Sequence, residues 1–184
     1  MKRTLLALTI AFSASFFVTS SASFAQQLHS NLYSVSAPGW LAKRAQDDDV
    51  FTCIKCQEQV QIQVSVGPPL SSEAPVRTNQ AFIAQFKEQS ARNEFARLLM
   101  KKAAPFPLPK NALTIKGSEI GSLGGLRVLK VTSTMSLGPQ VMHDVSYVAL
   151  HKSRFVKISI GHYGILTKNA GKKISSWVSS FRFL

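Results

Sequence analysis

The second half of the chain is a succession of extended segments punctuated by glycine and proline, and this constrains the fold more than any other feature. Leu113 to Ile120, Leu126 to Met135, Val141 to Leu150 and Phe155 to Gly161 each read as a strand. Gly121-Ser122-Leu123-Gly124-Gly125, Leu137-Gly138-Pro139 and His151-Lys152-Ser153 separate them as turns. In the last strand Val156, Ile158 and Ile160 alternate with Lys157 and Ser159, the period of two of a half-buried strand. Strands joined by such short turns must run antiparallel, as a meander. After them Ala170, Ile174, Trp177, Val178 and Phe181 recur at helical spacing, with Thr167 as the expected N-cap. That stripe requires a sheet to pack against.

The first half carries the same elements in another order. Val60, Ile62, Val64 and Val66 alternate with Gln61, Gln63 and Ser65. Tyr33 to Val35 and Val50 to Ile54 are shorter strand candidates, and Gly67-Pro68-Pro69 ends the run because proline supplies no ladder donor. A helix is expected from about Thr78, and its apolar residues change face. Phe82, Ile83 and Phe86 form one stripe, and Ala91, Phe95 and Leu98 form another, which places a break near Ser90–Asn93. Pro105, Pro107 and Pro109 end it. An antiparallel sheet flanked by helices, with no internal repeat or linker, belongs to the α+β class as one domain.

Residues 1–25 read as a cleavable export signal. Lys2 and Arg3 open it, an apolar run from Leu5 to Val18 follows, and Ser23-Phe24-Ala25 offers small residues at the cleavage positions. The run is shorter than the roughly 20 residues a helix needs to cross a bilayer. The expectation is therefore a single α+β domain over 26–184 in the bacterial periplasm or secreted, with no membrane anchor after cleavage.

Ile120-Gly121-Ser122-Leu123-Gly124-Gly125-Leu126-Arg127-Val128, followed by two more strands and a helix ending in Ser180-Phe181-Arg182-Phe183, resembles the turn, strand and tail of PsbP/Mog-like proteins. The resemblance reaches sequence level only over Gly124–Leu184. It implies an α/β/α sandwich around an antiparallel sheet. It also implies an accessory or binding role, since members include photosystem subunits, a Ran-binding factor and bacterial envelope proteins. They share no catalytic residues, so none carries over. Cys53-Ile54-Lys55-Cys56 is not a feature of that family.

Cys53 and Cys56 are the only cysteines, and in an oxidising compartment such a pair is expected as a disulfide bracing a strand connection. A thioredoxin-type redox centre would need a helix N-terminus following the pair, and the sequence continues as strand. A metal site would need two further ligands, and His29, His143, His151 and His162 are scattered along the chain. Asp47-Asp48-Asp49 lacks the spacing and glycine of a calcium loop and reads as a solvated turn. His143 and Asp144 are neighbours on a strand and point to opposite faces, so they form no dyad. No catalytic residues, metal site or cofactor are assigned.

Charge is the remaining signal. Residues 26–100 hold seven basic and seven acidic side chains, whereas after Met100 come thirteen Lys and Arg against Glu119 and Asp144 alone. The chain as a whole carries +13. Such asymmetry attracts anionic partners. Export and the lack of aromatic residues among the cations exclude nucleic acid from the expected partners. The reading is a non-enzymatic exported binding protein contacting an anionic envelope component or an acidic protein through Lys101, Lys102, Lys130, Lys152, Arg154, Lys157, Lys168, Lys172 and Lys173. The alternatives are a thiol or metal handler using Cys53 and Cys56, or a carrier of a small apolar ligand.

Overall fold

Hydrophobic alternation and turn glycines translate directly into strands in the second half, and less directly in the first. The computed structural model describes residues 31–45, 48–103, 109 and 111–184, without the side chains of Lys102, Ala103 and Leu137. The expected signal over 1–25, Asp47, Pro105 and Pro107 lie outside the described residues. The described chain begins with β1 (Tyr33–Ser34), β2 (Trp40–Ala45), β3 (Asp48–Cys53) and β4 (Val60–Pro69). Two helices follow, α1 (Asn79–Ala84) and α2 (Gln89–Ala103). Then come β5 (Leu113–Leu123), β6 (Leu126–Leu137), β7 (Gln140–His151) and β8 (Arg154–Tyr163), then α3 (Lys168–Ser180) and β9 (Arg182–Phe183).

Seven strands form one sheet in the order β2-β3-β4-β8-β7-β6-β5, every neighbour antiparallel. The meander β5 to β8 is as expected. β4 closes back beside β8, which joins the two halves of the chain in a single sheet. β1 and β9 pair separately, Tyr33 opposite Phe183.

The two sheet faces carry different cores. On one, Trp177 of α3 and its C-cap residue Phe181 pack with Phe51, Ile62, Val64 and Ile158, all essentially fully buried. On the other, Phe82, Ile83 and Phe86 of the α1 region pack with Ala96 of α2 and with Leu129, Val131 and Val148. Helices on both faces make the α/β/α sandwich. They cover opposite halves, α3 over the β3-β4-β8 side and α1 and α2 over β5 to β7. The face of β4 and β8 away from α3 is thus left without a helix.

Two resembling segments meet in space. Gly124 and Gly125, both with positive φ (57° and 89°), form the β5–β6 turn. Gly124 O accepts from Phe183 N at 3.3 Å. A Cβ on Gly124 would meet Phe181 and Phe183 atoms at 3.1 Å. The hairpin glycine and the C-terminal Ser-Phe-Arg-Phe are therefore one packing unit.

Four expectations change. The helix breaks at 85–88, before Ser90–Asn93, because the Arg92 guanidinium donates to the carbonyls of Phe86 (2.7 Å) and Lys87 (2.6 Å) and holds the chain out of helix there. The second stripe is Phe95, Ala96, Leu99 and Met100, while Leu98 is exposed; the Phe86 and Phe95 rings pack tilted with centroids 4.9 Å apart and set that rotation. Asp48 and Asp49 begin β3 and form no solvated turn. Asp49 is fully buried, accepting from Tyr33 Oη and from Arg44 Nε at 3.1 Å. β2, not expected at all, is an edge strand whose only buried side chain is Trp40.

Candidate binding surface

The strand period decides what the helix-free half-face presents. On β4 the residues between the buried valines and isoleucine are Gln61, Gln63 and Ser65, and on β8 they are Lys157, Ser159 and Gly161. Register sets Gln63 against Ser159 and Ser65 against Lys157. The result is a trough of about 910 Å³ with these polar side chains along it. The Cys53–Cys56 loop bounds it on one side, and Met100, Met135 and Met142 bound it on the other. Met135 and Met142 are cross-strand partners.

Asp144 lies at the trough's buried edge. Its carboxylate accepts from Ser146 Oγ at 2.7 Å, and Ser146 Oγ lies 3.0 Å from Ser159 Oγ. Burial raises the Asp144 pKa, opposed by the Ser146 hydrogen bond and the charge of Lys157. The Ser146 hydroxyl donates to the Asp144 carboxylate, so these groups form a hydrogen-bonded polar floor.

His143 and Asp144 face opposite sides, as strand geometry requires. The histidines are less scattered than their sequence positions suggest. His143 and His162 are register partners on β7 and β8, with parallel rings 4.9 Å apart. Burial lowers the His162 pKa and the neighbouring His143 lowers it further, while backbone contacts and Glu58 oppose both. His151 stands at the other end of the sheet, bonded to Leu184 O at 2.7 Å. His29 lies outside the described residues. Among the described residues no three His, Cys, Asp or Glu side chains gather as a metal site.

Cys53 and Cys56 are joined as a disulfide. Cys53 ends β3 and is buried, Cys56 is half-buried, and β4 follows, so no helix N-terminus begins at either sulfur. The geometry is that of a brace between two strands. The loop it closes is docked to α3. Glu58 accepts from the backbone N–H and the hydroxyl of Thr167, the N-cap of α3, and Asn169 Nδ2 donates to Lys55 O at 3.3 Å.

The cations chosen from sequence come from several surfaces. Lys168, Lys172 and Lys173 share α3, and Lys101 stands at the end of α2, in the opposite layer. Lys130 shares a face with Tyr147 and Ile158, so Lys157 projects from the other face. Lys152 and Arg154 sit at the β7–β8 turn. The Lys102 side chain lies outside the description. Lys130 donates to Glu119 at 2.8 Å. No single patch unites the eight whose side chains are described.

Sequence reasoning missed the trough, the His143–His162 pair and the buried Asp49. The polar members of the alternation in 60–66 carried the signal for the first. The other two depend on register, which the sequence does not display.

An antiparallel sheet of this order with helices on both faces is the PsbP/Mog-like fold. The solution structure of cyanobacterial PsbP (CyanoP) from Synechocystis matches over 92% of this chain and 99% of that one, with a TM-score of 0.51 and 13% identity. LpqN of Mycobacterium tuberculosis, described as involved in cell envelope biogenesis, covers 82% of this chain and 83% of its own, with a TM-score of 0.49 and 9% identity. A point mutant of the protein Mog1 covers 85% and 93%, with a TM-score of 0.46 and 14% identity. At such identity the CyanoP likeness establishes the fold alone. No protein-family model matches the sequence, and no curated protein matches it.

Proposed function

We propose that this is an exported, non-enzymatic accessory protein that binds an anionic envelope component or an acidic protein through its basic surface. One observation carries the reading. Of the thirteen cations after Met100, Lys130 is the one that forms an ion pair with a carboxylate among the described residues. A net charge of +13 leaves the acids too few to neutralise the others. The signal-like amino end supports export, and the resemblance to a family of accessory proteins supports the non-enzymatic role.

The test is retention on heparin and on an acidic protein across a salt series. Exposed charges act over a Debye length of about 10 Å at 0.1 M salt and about 3 Å at 1 M. Affinity is expected to fall steeply as salt rises, and to fall again when Lys168, Lys172 and Lys173 are changed together to Glu. Binding indifferent to salt, or no binding to any polyanion, overturns the proposal.

A further inference from the structure

Resting on that reading, we infer that the end of the sheet carrying the disulfide loop is a docking surface for an anionic lipid bilayer. The observation is where the exposed aliphatic side chains fall. Six large hydrophobic residues stand out to solvent among the described residues. Four of them share this end: Ile165 (92% exposed), Leu41 (61%), Ile54 (61%) and Val141 (42%).

Topology and hydrogen bonds gather the four. In an antiparallel sheet the start of β2, the end of β3, the start of β4, the end of β8 and the start of β7 lie along one edge of the molecule. Ile54 N donates to Gly39 O at 3.3 Å, which sets Ile54 beside the β2 segment that holds Leu41. The Glu58–Thr167 and Asn169–Lys55 bonds tie the loop of Ile54 to the β8–α3 connection that holds Ile165. Met142 pairs with Tyr163, which brings Val141 next to the residues entering that connection. At about 4.8 Å per strand, the row spans roughly 20 Å.

Cations frame the same end. Lys55, Lys101, Lys168 and Lys172 are exposed there. Glu58, the acid of the disulfide loop, is held by Thr167. Lys168 opens α3, whose N-cap residue Thr167 is already met by the Glu58 carboxylate, so the lysine's own charge is left to an external anion. An anionic headgroup would satisfy the lysines.

The aliphatic residues choose among anionic partners. A polysaccharide or soluble polyanion rewards cations but gives Ile165 and Ile54 nothing. A bilayer rewards both, taking apolar tips below the headgroups while the lysines meet anionic lipid. No helix among the described residues is long and apolar enough to cross a membrane.

Sedimentation with vesicles of phosphatidylcholine, with and without phosphatidylglycerol, tests this. Wild type should bind the phosphatidylglycerol vesicles and leave pure phosphatidylcholine unbound. Ile165→Ser and Ile54→Ser should each weaken that binding about tenfold, with heparin retention and melting temperature unchanged. Ile165→Trp should show a blue-shifted emission change on the anionic vesicles. Heparin or acidic-protein binding without vesicle binding, or vesicle binding untouched by both Ser variants, overturns the lipid surface and leaves the anionic-partner reading standing. Failure to bind heparin, acidic protein and vesicles alike removes both.

Discussion

Gly124→Ala tests whether the β5–β6 turn and the C-terminal tail are one unit. Two costs arise, and the structure separates them. The first is conformational: Gly124 has φ +57°, where an L-residue is disfavoured by about 1–2 kcal/mol. The second is steric. The new methyl would lie 3.1 Å from Phe181 Cδ1, from Phe181 O and from Phe183 Cδ2, and one of these is backbone, which cannot swing aside. Overpacking of this kind costs about 1–3 kcal/mol, for a total of about 2–5 kcal/mol. Gly138→Ala is the matched control, because φ is +64° and a Cβ there meets nothing within 4 Å. It should cost only the conformational part. Urea unfolding followed by circular dichroism measures both, with the slope checked for constancy. The excess of Gly124→Ala over Gly138→Ala is the packing contribution. If the two variants lose the same stability, the tail does not press on the turn as described.

Two further predictions follow from buried groups. Asp49→Ala removes the acceptor of the buried Tyr33 hydroxyl and the partner of Arg44, and should cost about 3 kcal/mol by chemical denaturation; a loss below about 1 kcal/mol would show that water replaces the carboxylate. Burial and His143 hold the folded-state pKa of His162 below its ordinary 6.5, so the unfolded chain binds the proton more readily. The stability from neutral His162 is complete above pH 6.5 and is lost as pH falls from there through the depressed value. Melting temperature should therefore drop on acidification across that window in wild type and much less in His162→Gln; equal pH profiles would refute the assignment.

Much of the fold was legible because antiparallel strands announce themselves locally. The alternation in 60–66 and 155–161 and the apolar stripe of 170–181 each require one buried face whatever the neighbours are, and each is found as read. The helix break was visible as a shift of stripe but misplaced, since Arg92 and the Phe86–Phe95 contact act across the break rather than within either helix. β2 gave no periodic signal, as an edge strand with a single buried side chain has no reason to alternate.

What the sequence determined alone was composition and local pattern: a basic second half, a meander, a capped closing helix and a cysteine pair three residues apart. Tertiary structure decided which residues share a surface. Register placed His143 against His162, and strand order brought Ile54, Ile165, Leu41 and Val141 to one end although they are spread over more than 120 positions. Burial turned an apparently solvated aspartate into the partner of a buried tyrosine. Distance along the chain is a poor guide to distance in space once strands pair out of order, and here the β4–β8 pairing joins the two halves of the candidate surface.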